Sequence, residues 1–196
     1  IDPGTYVYQY PIEWRDYFRG TSAHNTIRTD GKDQSVIGGY YMWIRKAQAK
    51  LLRWESNDDC DTVEGEHNGY IRLKDPVIHQ RKMFFNKKKD LFKIIDRIQV
   101  KEMRLIEQFF HFSEECAIEQ VGPTKWQIKN NNKTIILIVD KKFQVKIVNG
   151  TDNPILGWES KRFDVKEKTS SMVNSINLKG SCKFRTLIGI VMSKAN

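Results

Sequence analysis

The side chains of this chain that could do chemistry are few: four histidines, three cysteines and a dense aromatic stretch near the start. The histidines are His24, His67, His79 and His111, and none is paired at His-x-His or His-x-x-x-His spacing. No metal site is therefore closed by local spacing. His24 is the best placed. It lies in Tyr17-Phe18-Arg19-Gly20-Thr21-Ser22-Ala23-His24-Asn25-Thr26, where small neighbours let a polar group or ion approach the backbone. Upstream, Pro3-Gly4 fixes Asp2 in a turn. A carboxylate and an imidazole brought together would be two ligands of an incomplete zinc set. His111, inside Phe109–Phe112, reads as a core or sheet-face histidine, and His67 and His79 read as structural. Cys60, Cys116 and Cys182 form no Cys-x-x-Cys pair, which excludes a zinc ribbon. Their odd number does not support a disulfide framework, and buried free thiols are expected. No Gly-x-Ser-x-Gly elbow, P-loop or Gly-x-Gly-x-x-Gly occurs.

The first 43 residues hold Tyr6, Tyr8, Tyr10, Trp14, Tyr17, Phe18, Tyr40, Tyr41 and Trp43, interleaved with Arg15, Arg19 and Arg28. This mixture suits sugar or anion contact. A planar ring meets the face of a sugar, and a guanidinium forks onto a carboxylate. The same residues also build ordinary sandwich cores.

Strands must position these groups. Leu91–Ile98, Arg104–Phe112, Lys125–Lys129, Thr134–Val139, Phe143–Val148, Ser175–Leu178 and Lys183–Val191 are short and rich in β-branched and aromatic residues. In Phe143-Gln144-Val145-Lys146-Ile147 every second side chain is apolar, as a half-buried strand requires. Val121-Gly122-Pro123, Asn130-Asn131-Asn132-Lys133, Asn149-Gly150-Thr151 and Lys179-Gly180 read as turns. Ile44–Trp54 fits a helical spacing, but Ala47, Ala49 and Leu51 also alternate, and the strand reading is preferred. Many short strands with regular turns predict an all-β antiparallel sandwich or barrel. At 196 residues one domain is expected. The longest aliphatic runs, Ile135–Val139 and Leu187–Met192, fall far short of the ~20 residues of a membrane helix.

The formal net charge of +9 is unevenly spread. Residues 1–78 carry 10 basic and 12 acidic side chains, and residues 79–196 carry 23 basic and 12 acidic. The basic second part invites polyanions. Nucleic acid is disfavoured, because the aromatics that would stack bases lie in the acidic part. A non-catalytic module that binds anionic glycan remains an alternative to an enzyme.

One combination is more specific than any single piece. Asp2-Pro3-Gly4-Thr5-Tyr6-Val7-Tyr8 is followed by Arg15–Thr26 and then by Asp30-Gly31-Lys32-Asp33-Gln34-Ser35. With His67-Asn68-Gly69-Tyr70, Asp75–Arg81, Phe109–Phe112 and Gly157-Trp158-Glu159-Ser160, this series resembles the C-terminal domain of the heparinase II/III-like polysaccharide lyases over nearly the whole chain. The resemblance implies a supersandwich-like β-sandwich, residues 1–196, lacking the N-terminal α/α toroid of the same chain. The start at Ile1, without Met, is read as an N-terminal truncation. The implied chemistry is β-elimination on an acidic polysaccharide containing uronic acid. The main base and the carboxylate-neutralising residue would lie on the toroid, so no catalytic set is complete here. Asp2 and His24 would be two zinc ligands, and Tyr8, Tyr17, Arg19 and Asn25 would face the substrate. The sequence leaves the compartment open; a parent typical of the bacterial lyases would be periplasmic or secreted.

Overall fold

A computed structural model describes residues 1–191, so Met192, the last residue of the second aliphatic run, lies outside the described residues. Among the described residues the chain is mostly antiparallel β-sheet with one α-helix, and it divides into two compact units.

The first unit comprises Ile1–Ala47, Arg104–Glu114 and Gln144–Asn177. Its helix, Ile12–Arg19, follows Pro11 and stops at Gly20, with Glu13 in the first turn and Arg19 in the last. Both charges suit the helix dipole. Tyr17 and Phe18 face inward and join Ala23, Phe109, Val148, Leu156 and Trp158 in the core. Trp14 meets Trp158 edge-on at 5.1 Å, a favoured aromatic geometry. Strand Ile27–Thr29 pairs antiparallel with Ile106–Gln108, and Gln144–Asn149 pairs with Ser170–Ser175. These ladders hold the segment around His24 against a rigid sheet.

The second unit comprises Gln48–Met103, Glu115–Phe143 and the chain from Leu178 onward. Ala49–Ser56, Cys60–His67 and Ile78–Asn86 form successive antiparallel pairs, the last of them also pairing with Leu91–Gln99. Lys133–Ile138 pairs with Lys125–Asn130 on one side and Leu187–Val191 on the other. Along the strand from Leu91, the buried positions Ile94, Asp96, Ile98 and Val100 alternate with more exposed ones.

Asp96 is fully buried, and its partners explain how. Arg81 donates to it from Nε at 2.7 Å and from a terminal nitrogen at 3.0 Å, and His79 Nε2 lies at 2.7 Å. Burial alone would raise its pKa. The Arg81 charge and the His79 hydrogen bond more than offset this and hold the carboxyl below the usual carboxylate range. The Gly69 N–H donates to His67 Nδ1 at 3.1 Å, which puts the His67 proton on Nε2, 3.1 Å from His79 Nδ1. His79 then donates from Nε2 to Asp96. Hydrogen bonds thus link His67, His79 and Asp96 in one chain, and burial, followed by the neighbouring His79 and Arg81, lowers the His67 pKa to about 4.

Several local expectations differ from the structure. Leu91–Ile98 and all of Arg104–Phe112 except Phe112 itself belong to one strand, Leu91–His111. Ser175–Leu178 and Lys183–Val191 belong to another, Ser170–Val191. Lys179-Gly180 is therefore within a strand, where Gly180 takes φ +85°. The three cysteines are free but half-buried instead of fully buried. The strand reading of Ile44–Trp54 agrees with Trp43–Arg45 and Ala49–Ser56.

Candidate functional site

All six residues singled out from the sequence fall in the first unit. Gly4 takes φ +79°, and a Cβ there would meet the Ser160 carbonyl oxygen at 2.0 Å. Only glycine fits so close an approach. Ser160 N–H donates to the Pro3 carbonyl at 2.7 Å, pinning the turn. Gly4 N–H in turn donates to Asp2 Oδ1 at 3.3 Å. The Asp2 carboxylate is thereby directed at His24, and its Oδ2 lies 3.0 Å from His24 Nδ1. The Asp2 side chain is 75% exposed and that of His24 38%, so the pair is open to solvent.

Asn25 fixes the same corner from behind. Its Nδ2 donates to the Ile1 carbonyl at 2.7 Å, and its Oδ1 accepts the His111 N–H at 2.8 Å. Both ends of the amide serve to hold the Ile1–Asp2 segment on the strand that ends at His111. His111 itself is buried, with Nδ1 2.7 Å from Ser171 Oγ. Burial, the largest cause, lowers its pKa to about 4.

The other residues take different places. Tyr17 is 7% exposed and belongs to the core. Its hydroxyl accepts the Trp158 N–H at 3.4 Å, and burial raises its pKa despite the backbone donors of Trp158 and Gly157. The structure therefore places it in the core and not on the surface. Arg19 is similarly consumed. Its side chain is 8% exposed, donates to Asp16 at 2.6 Å, to Gly39 O at 2.6 Å and to Tyr40 O at 3.1 Å, and lies over Trp43. It clamps the 39–43 loop to the helix. Tyr8, by contrast, is 53% exposed and stacks on Phe163 at 5.6 Å, with the Arg15 guanidinium 5.5 Å from its ring.

Phe163 and Arg15 are groups that sequence reasoning missed as partners of Tyr8. Their only signals were an exposed-type Arg in the aromatic stretch and an aromatic in a charged hairpin. Glu159, beside the Ser160 that holds Gly4, was also assigned no role. It is 8% exposed, and burial and then the neighbouring Glu114 raise its pKa. Lys161 contacts Glu114 and holds that carboxyl low.

The donor types of Asp2 and His24, a carboxylate oxygen and an imidazole nitrogen, suit zinc. Two atoms bound at about 2.0 Å to one tetrahedral ion lie about 3.3 Å apart. The observed 3.0 Å is close to that separation. Among the described residues no group of three His, Cys, Asp or Glu side chains is placed to hold a metal.

The fold and this corner define an all-β, antiparallel, β-sandwich-like chain that carries a solvent-facing Asp–His pair. A family model described as "Heparinase II/III-like, C-terminal" matches residues 1–187, and the chain belongs to that family. Among solved structures it is similar to a heparan sulfate lyase, HepC, from Pedobacter heparinus (TM-score 0.77, 16% identity, 100% of this chain and 29% of that one). It is also similar to a heparinase III gene product (TM-score 0.76, 18% identity, 97% and 28%) and to a second heparinase III (TM-score 0.74, 21% identity, 97% and 27%). At these identities the likeness shows the fold. The chain thus spans less than a third of the length of these structures. No curated protein sequence matches it.

Proposed function

We propose that this chain is the β-sandwich portion of a polysaccharide lyase that cleaves uronic-acid-containing glycans by β-elimination, and that it is inactive without the remainder of the parent. The toroid that the resemblance implies would supply the main base and the carboxylate-neutralising group. The observation that carries the reading is the Asp2–His24 pair, built by the family motif and open to solvent.

In the elimination a base takes the proton at C5 of the uronate, the C4–O bond breaks, and a C4–C5 double bond forms while the departing oxygen is protonated. The demand on the protein is to stabilise the carboxylate as negative charge builds on it. This chain contributes binding and orientation. Asp2 and His24 would hold zinc together with donors from outside the described residues, and the ion would supply fixed positive charge at this corner. Asn25 and the Gly4 turn hold those two side chains in place. Tyr8, backed by Phe163, offers an aromatic face to a sugar ring, and Arg15 beside it offers a fork for a carboxylate or sulfate.

The experiment is to incubate the full-length parent with a panel of uronate polymers and follow absorbance of the new double bond. A rising signal with at least one polymer is expected. No unsaturated product from any polymer would refute the lyase reading.

A further inference from the structure

A cavity of about 950 Å³ opens within the second unit, among Gln80, Arg97, residues 138–142 and the stretch from Ser181 to Leu187. This is the size of a small-ligand pocket, which runs to roughly 300–1,000 Å³. Its apolar lining comes from Ile98 and Val139, both buried, and Leu187. Its charge is lopsided: five basic side chains line it against two acidic ones.

The two acidic groups keep their charge and accept hydrogen bonds from neutral donors. Asp140 accepts the Lys142 N–H and the Arg185 N–H, each at 3.2 Å, and Glu66 accepts from the Gln80 amide at 2.8 Å. Of the basic groups, Arg97 is paired with Glu64 at 2.5 Å, and Lys142 Nζ lies 3.2 Å from Cys182 Sγ. Lys141, Lys183 and Arg185 are exposed, and none has an acidic side-chain partner among the described residues. Three cations crowd a hollow with an apolar wall and amide groups from Gln80 and Gln99. The lining keeps a net positive charge, which favours an anion.

We propose that this cavity is a second glycan-binding site, which holds one acidic sugar of a chain by its carboxylate or sulfate between Lys141, Lys183 and Arg185. Arg185 forks onto the planar or tetrahedral anion, and the lysines act as point charges. Gln80 and Gln99 are suited to sugar hydroxyls, and the apolar wall to a ring face. Nucleic acid is the poorer occupant, because no aromatic side chain lines the cavity to stack a base. The site shares no residue with the Asp2–His24 corner, and its assignment does not depend on the lyase reading.

The test uses the 196-residue chain and a sulfated uronate tetrasaccharide at low salt. Calorimetry gives affinity, and peptide mapping of Cys182 alkylation reports occupancy of the cavity itself, since Cys182 lines it. The double variant Lys183→Ala/Arg185→Ala should weaken binding by at least about tenfold, the scale of losing charge-assisted contacts. The tetrasaccharide should slow Cys182 alkylation in the native protein and not in the double variant. Lys141→Gln, at a separate exposed position, should weaken binding in the same direction should the double variant misfold. Unchanged affinity in the folded double variant or, where it misfolds, in Lys141→Gln would overturn the proposal. So would equal protection by inorganic sulfate, or tighter binding of single-stranded DNA. Because cleavage is not read, a parent without lyase activity leaves this result standing.

Discussion

His24 Nδ1 lies 3.0 Å from Asp2 Oδ2, although 22 residues separate them in sequence. The contact depends on a turn that only Gly4 can make and on an amide, Asn25, whose two ends are both bound to backbone. The pair is a product of tertiary placement and is not a local motif.

Removing either partner should therefore change metal content more than stability. An exposed carboxylate–imidazole pair contributes at most about 1 kcal/mol. In the full-length parent, His24→Ala and Asp2→Asn should each lower bound zinc, measured by elemental analysis of the purified protein, while urea midpoints stay nearly constant. Equal zinc in native and variant protein would remove these residues from the ligand set.

Gly4→Ala should break the corner without touching either side chain. The new Cβ meets a backbone oxygen that Ser160 cannot easily withdraw, and the residue must also hold a left-handed conformation. The His24 ring resonances, followed by NMR, should shift to those of the Asp2→Asn variant. A native-like spectrum would show that the turn tolerates a side chain.

Arg19→Ala should destabilise the fold by about 2–4 kcal/mol, because it strips donors from Asp16 and from two backbone carbonyls of the 39–43 loop. Arg19→Lys should recover only part of this, since an ammonium cannot span the same three acceptors. Chemical denaturation measures both. A loss below about 0.5 kcal/mol in the alanine variant would mean that the clamp contributes little.

Stability should fall as pH drops from about 6.5 to about 4. His67 and His111 both have folded-state values lowered to about 4 by burial, against an ordinary 6.5. Between those limits the unfolded chain binds more protons than the folded one, so acid favours unfolding. Each group contributes up to about 3 kcal/mol of pH-dependent stability, present in full above 6.5 and lost on the way down to 4. Urea unfolding at pH 7 and pH 5 reads the difference, and His67→Gln should remove about half of it. A stability that stays level or rises toward pH 5 would contradict the lowered values of His67 and His111.

The fold class was legible because strand alternation survives in stretches such as Phe143–Ile147, which lies largely within the observed strand Gln144–Asn149. Asn131, with φ +51°, occupies the turn that the asparagine run signalled. The length of the two longest strands was not legible. Lys101, Glu102 and Met103 are all exposed, so the alternation lapses there, and Gly180 resembles a turn while remaining in a strand. The helix Ile12–Arg19 was missed because eight residues are too short a window for periodicity to decide between helix and strand, although Pro11 before it and Gly20 after it were helix boundary signals. Within the candidate site, residue type could not reveal direction. Tyr8 and Tyr17 look equivalent in sequence, yet one is exposed and the other is core, because Tyr17 lies on the inner face of that unseen helix.

The most direct test of the central claim is the mass of the product that the full-length parent releases from a defined uronate oligosaccharide. Elimination leaves a new non-reducing end one water lighter than hydrolysis would, with a C4–C5 double bond. The account predicts that lighter, unsaturated fragment. Fragments carrying the added water, or an oligosaccharide left intact across all uronate types, would contradict it.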